Sequence, residues 1–167
     1  MEAVEHELFS EDIHPIDIVE TLAERRDWDF DRIADDQIAM AVEGSWRTYS
    51  VTLAWSQYDD TLRLICTFEI EPPADRISEL SLLLDRANDQ IWTGCFNLWA
   101  EQGLMVFRYG LTLAGEASAT TGQIDAMLRG AVTASERFYP AFQLVAWGGE
   151  TADDALSVAM SECVGRA

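Results

Sequence analysis

The chain has 167 residues, 49% of them hydrophobic, and a formal net charge of −19. That length favours one domain with a sizeable core, and the apolar fraction excludes a chain disordered by composition. The charge repels phosphate backbones and anionic membranes, so neither nucleic acid nor membrane is an expected partner, and a basic protein partner is.

No apolar run approaches the ~20 residues of a membrane helix. The N-terminus, Met1-Glu2-Ala3-Val4-Glu5-His6-Glu7, is acidic where a signal peptide would be basic, so residence in the bacterial cytoplasm is expected. Residues 1–14 read as an acidic, mobile segment and residues 15–167 as a single α+β domain. All eleven basic residues are Arg, which reads as codon bias and carries no functional inference. Cys66, Cys95 and Cys163 are far apart and odd in number, so they form neither a zinc spacing nor a disulfide framework. Cys66 and Cys163 fall on predicted apolar faces and read as small buried hydrophobes.

In chain order, Pro15 to Arg26 predicts an amphipathic helix, with Pro at its first position, Ile16, Val19, Leu22 and Ala23 on one face, and Arg25 and Arg26 at its C-terminal end. Four strand-like runs follow. Trp28–Ala34 is the weakest. Ile38–Glu43 is joined to the next strand by Gly44-Ser45, read as a two-residue type II′ turn that sets Ile38 opposite Val51 and Met40 opposite Tyr49. Asp59-Asp60 is read as a second two-residue loop, pairing Trp55 with Leu64, Leu53 with Cys66, Val51 with Phe68 and Tyr49 with Ile70. Pro72-Pro73 ends that run.

A helix is predicted from Ala74 to Gln90, its stripe carried by Ile77, Leu80, Leu84, Ala87 and Ile91. A third hairpin, Trp92–Glu101 and Leu104–Leu113 around Gln102-Gly103, pairs Leu98 with Phe107, Phe96 with Tyr109 and Trp92 with Leu113, and places Trp99 opposite Val106. Thr121 is read as the cap of a helix that Pro140 should kink or break. Gly148-Gly149 reads as a C-terminal stop, and Thr151 as the cap of a final helix, with Asp154 in the capping-box position. The expected fold class is α+β: an antiparallel sheet of five to six strands with helices mainly on one face. No Gly-rich phosphate loop or βαβ repeat is present.

Chemistry is thinly supported. His6 and His14, with Glu7, Glu11 and Asp12, lack a recognised ligand spacing, so no metal and no cofactor is expected. The pairs Asp35-Asp36, Asp59-Asp60 and Asp153-Asp154 read as turn and helix-start residues, and no Ser or Cys stands in a nucleophile motif. No catalytic residue is assigned and no enzyme is expected. The outer face of the sheet is the informative feature. The expected registers place Trp46, Ile65, Trp99, Leu104 and Val106 there, and contiguous exposed apolar residues with Trp among them mark protein contacts.

The chain resembles the YbjN-like family of bacterial sensory-transduction regulators. The resemblance is carried by Glu136-Arg137-Phe138-Tyr139-Pro140-Ala141-Phe142-Gln143, Trp147-Gly148-Gly149 and Val164-Gly165-Arg166-Ala167. Ile91-Trp92-Thr93-Gly94, Phe96, Leu98-Trp99, Met105-Val106-Phe107-Arg108, Pro15-Ile16-Asp17 and Asp27-Trp28 support it. It implies a fold like the small acidic type III secretion chaperones, commonly dimeric, and no reaction. The function expected is a protein-binding regulatory or chaperone-like module, a homodimer with an unknown and basic protein partner. The alternative is a small-molecule sensor with a pocket between sheet and helices.

Overall fold

The structure, a computed structural model, describes residues 13–164. Helix α1 (Pro15–Arg25) starts where Pro15 occupies the first turn and His14 accepts the Ile16 N–H on Nδ1 at 3.2 Å. Six strands follow around a central helix: β1 (Asp29–Ala34), β2 (Gln37–Glu43), β3 (Thr48–Ser56), β4 (Thr61–Glu69), then β5 (Cys95–Trp99) and β6 (Leu104–Thr112). They form one antiparallel sheet in the order β1-β2-β3-β4-β6-β5.

All three hairpins depart from the expected register in the same way. Each loop has four residues where two were expected: Gly44–Arg47, Gln57–Asp60 and Ala100–Gly103. The pairs become Ile38–Leu53 and Met40–Val51, then Val51–Cys66, Leu53–Leu64 and Trp55–Leu62, then Phe96–Phe107 and Leu98–Met105. The backbone explains two of the three. Tight two-residue turns need positive φ at their central residues, whereas here the left-handed residue, Asp60 (φ 49°) or Gly103 (φ 66°), closes a longer loop. Because every register moves by an even number, each side chain keeps its face. Trp92 does not pair with Leu113; it lies in the loop before β5, 98% exposed.

The helices also adjust. The segment from Ala74 opens with a 3₁₀ turn (Ala74–Arg76), so α2 spans Ile77–Asn88 and Ile91 packs on the core from outside it. Helix α3 (Thr121–Ala146) is capped by Thr120, not Thr121. Thr120 Oγ1 accepts the Gln123 N–H at 3.0 Å, and the Gln123 side chain accepts the Thr120 N–H at 2.9 Å. Pro140 does not break this helix. A mid-helix proline costs ~3 kcal/mol, but Phe138, Tyr139, Ala141, Phe142 and Val145 around it are all buried, at ~1.5–3 kcal/mol for each large side chain. The helix ends at Gly148-Gly149, where Gly149 takes φ 72°. Helix α4 (Ala152–Val164) is capped by Thr151 Oγ1 on the Asp154 N–H at 3.2 Å, and Glu79 of α2 supplies a second acceptor to the Ala152 N–H at 2.7 Å.

Helices α1, α2 and α3 cover the inner sheet face, and α4 packs mainly on α2 and α3. Aromatic rings fill the space between. Phe96 meets Phe107, Phe138 and Phe142 at 5.1, 5.8 and 5.0 Å between centroids. Phe68 meets Tyr49 and Tyr139 at 5.6 and 5.4 Å. Edge-to-face contacts of this kind add stability beyond their buried area.

Candidate interaction surface

Alternation along the strands decides what the outer face is made of. With Ile38, Met40 and Val42 inward, β2 shows Ala39 and Ala41 outward; β3 shows Ser50, Thr52 and Ala54; β4 shows Ile65 and Thr67. On β2 and β3 this face is small and uncharged, β4 and β6 add Arg63 and Arg108 to it, and the core shared by the helices lies on the other side. Among the described residues no helix packs over it.

The apolar candidates gather at one corner. Trp99 pairs with Leu104, which also pairs with Glu69 across β4. The next row is Asn97–Val106–Thr67, and the row after it is Cys95–Arg108–Ile65. Trp99 therefore stands beside Leu104, not opposite Val106, a consequence of the longer loop. Trp99 is 38% exposed, and Leu104 and Ile65 are half-buried. Val106 is 0% exposed yet outside the helix-covered core, between Asn97 and Thr67 in its row. It supports the surface and does not present itself.

Trp46 does not belong to the patch. It lies in the β2–β3 loop, which is folded against α3: the Glu136 carboxylate accepts the Trp46 N–H at 3.3 Å. A Cβ on Gly44 would lie 2.0 Å from Glu136 Oε1 and 2.7 Å from the Tyr49 ring, so glycine is there to let α3 approach. Arg47 places its guanidinium 5.8 Å from the rings of both Phe68 and Tyr139 and donates to the Glu69 carbonyl at 3.0 Å. The Tyr49 hydroxyl is buried beside Glu136 with no hydrogen bond of normal geometry, and burial first, then the carboxylate, push its pKa above the ordinary tyrosine range. The Glu136-to-Gln143 motif is thus largely structural: it latches a loop and fills the core. Sequence reasoning missed this latch because its two sides are about ninety positions apart.

The other candidate chemistry is accounted for by structure. His14 caps α1 and sets its ring edge-on to Trp55 at 6.1 Å. His6, Glu7, Glu11, Asp12 and the Cys163 side chain lie outside the described residues. Asp59 holds Arg63 at 2.9 Å, a bond that draws its pKa down, and Asp153 pairs with Arg86. The Asp35 and Asp36 carbonyls accept from Arg32 and from the Trp55 N–H. Cys66 is buried against Ser135, and burial pushes its thiol up to about 11, against the opposing Ser135 contact. A thiol so protected is inert at neutral pH. A shallow, open depression of about 300 Å³ lies beside the β5–β6 loop, lined by Glu71, Pro72 and Ala100–Gly103. Among the described residues no helix is long and apolar enough to cross a membrane.

Comparison with known proteins gives the family and the fold. The YbjN family model, described as "Putative bacterial sensory transduction regulator", matches residues 15–144. The crystal structure of YbjN from E. coli, described as a putative transcription regulator, aligns with a TM-score of 0.53 at 13% identity, covering 74% of this chain and 88% of that one. At that identity the likeness is one of fold. No curated protein matches the chain.

Proposed function

The chain belongs to the YbjN family, and from that premise we propose a non-enzymatic regulatory module that holds a partner protein on the open face of its sheet. One observation carries the reading: the inner face is packed under three helices, while the outer face is left without one among the described residues, with Trp99 and Leu104 side by side at its corner. Trp is the residue most enriched in the energetic centres of interfaces.

Charge favours one occupant. A second copy would bring −19 against −19, whereas a basic protein gains from steering and from complementarity at the rim. The reading therefore commits to a basic partner in the cytoplasm, with self-association as the competing occupant. A ligand pocket between sheet and helices has less support, because the space there is taken by the Phe68, Phe96, Phe138 and Phe142 rings.

The test is capture from native lysate with wild type and with Trp99→Ala/Leu104→Asp, both verified as folded. A captured protein is then purified and titrated against each. The expected result is direct binding by wild type, a loss of about tenfold or more in the double variant, and amide protection on β4, β5 and β6. Equal binding by both forms would sink the proposal. A wild-type dimer that Leu104→Asp dissociates would reassign the face to a second copy.

A further inference from the structure

The two edges of the sheet are finished differently. At the β5 edge, the Asn88 side chain takes both outward backbone groups of Phe96, at 2.7 and 3.1 Å. At the β1 edge nothing equivalent is present among the described residues. The ladder shows which groups are left. The Trp55 N–H bonds to the Asp36 carbonyl and the Gly44 N–H to the Arg47 carbonyl, so Ile38, Met40 and Val42 spend their backbone groups on β3. Ala39 and Ala41 then bond to Asp31 and Asp29 of β1. Phe30 and Arg32 must point their N–H and C=O groups away from the sheet.

The side chains around those groups are unbalanced. Asp29 and Asp31 are exposed on the outer face, and among the described residues neither has an ion pair or hydrogen bond. Their nearest cross-strand neighbours are Ala41 and Ala39. The one cation of the strand, Arg32, is turned to Asp17 and Glu20 of α1 at 2.9 and 2.8 Å. Its guanidinium also covers the Ala34 and Asp35 carbonyls, which closes the far end beside the bulge at Ile33. The open stretch is Asp29 to Arg32.

The geometry points to this edge as a strand-addition site for an extended, basic segment of a partner protein. Such a segment bonds to Phe30 and Arg32 through its backbone. It sets Lys or Arg at alternate positions opposite Asp29 and Asp31, with an apolar residue between them on the Phe30 side. A second copy is selected against, because antiparallel pairing about Phe30 would oppose Asp29 to Asp31 twice over. This site lies at the opposite edge of the sheet from Trp99 and Leu104, and the two proposals fail separately.

A blocked nonapeptide of alternating Lys and Val is the probe, titrated against the full chain and followed by amide exchange. The controls are the same peptide N-methylated at the amides that face the edge, the Glu–Val counterpart, and the variant Asp29→Asn/Asp31→Asn. The expected result is binding with new protection at the Phe30 and Arg32 amides, loss of that protection on N-methylation, no binding of the Glu–Val peptide, and a fall of roughly threefold to thirtyfold in the double variant. Equal binding by the N-methylated peptide would reduce the effect to general attraction by an acidic chain and overturn the proposal. Absence of binding at low salt would overturn it too, leaving the acids and the bulge as protection of a bare edge against aggregation.

Discussion

Asn88 pairs with Phe96 as a neighbouring strand would: its Oδ1 accepts the Phe96 N–H at 2.7 Å and its Nδ2 donates to the Phe96 carbonyl at 3.1 Å. A residue at the end of α2 thereby closes the edge of β5 and ties that helix to the sheet. Asn88→Ala leaves two backbone groups without partners, and the expected loss is ~1–3 kcal/mol. Asn88→Asp keeps the acceptor and loses the donor, so it should fall between. Urea midpoints check the order, and light scattering on the Ala variant checks whether the bare edge now self-associates.

Gly44 and Glu136 make a second long-range contact. A methyl group at position 44 must displace either the Glu136 carboxylate or the Tyr49 ring. Overpacking of this kind costs ~1–3 kcal/mol. Shortening Glu136 to Ala removes one obstacle, so Gly44→Ala and Glu136→Ala should cost less together than the sum of their separate effects. A double-mutant cycle in denaturant reads the coupling directly, and strict additivity would remove the latch.

The pH dependence follows from Cys66 and Tyr49, both raised in the native state. Well below the ordinary thiol value of 9.0 folded and unfolded chains hold the same protons on these groups. As pH rises further the unfolded chain loses protons that the native chain keeps, so stability falls. The Cys66 share begins near its ordinary value of 9.0 and is complete once pH passes the native value of about 11. It amounts to roughly 2–3 kcal/mol at most. Urea midpoints from pH 8 to 11 under reducing conditions should show the decline, and Cys66→Ala should make it shallower. At pH 8 the native protein should resist a thiol reagent at Cys66 while Cys95, half-buried, reacts first.

Facing pattern was legible in the sequence, and loop geometry was not. Alternation around Ile38, Val51, Leu64 and Phe107 assigns the inner residues of the strands correctly, because period two tolerates any even change of register, whereas Trp92, expected opposite Leu113, lies outside the strand. Loop length depends on where a left-handed residue falls, and Asp60 takes that conformation without being a glycine. Pro140 misleads for a different reason. Local chemistry argues against a helix there, and a core of five buried side chains outweighs it. The candidate surface was half legible: Trp99, Leu104 and Ile65 share a face as alternation requires, whereas Trp46 leaves it because Glu136, far along the chain, holds its loop.

Val106 and Leu104 lie on one face of β6 and differ in burial. Both point outward on β6, but Val106, paired with Thr67 and Asn97, is fully buried, while Leu104 is half-buried beside Trp99. Val106→Ala removes two buried methyl groups, with an expected cost of ~1–2 kcal/mol. Leu104→Ala removes more carbon from a less buried site and should cost less than its size suggests, ~1 kcal/mol or below. If the outer face were covered by a segment of the same chain, Leu104 would be as sensitive as a core leucine, at ~2–5 kcal/mol. Thermal or urea midpoints of the two single variants therefore test whether the face is open in the isolated protein, before any partner is known.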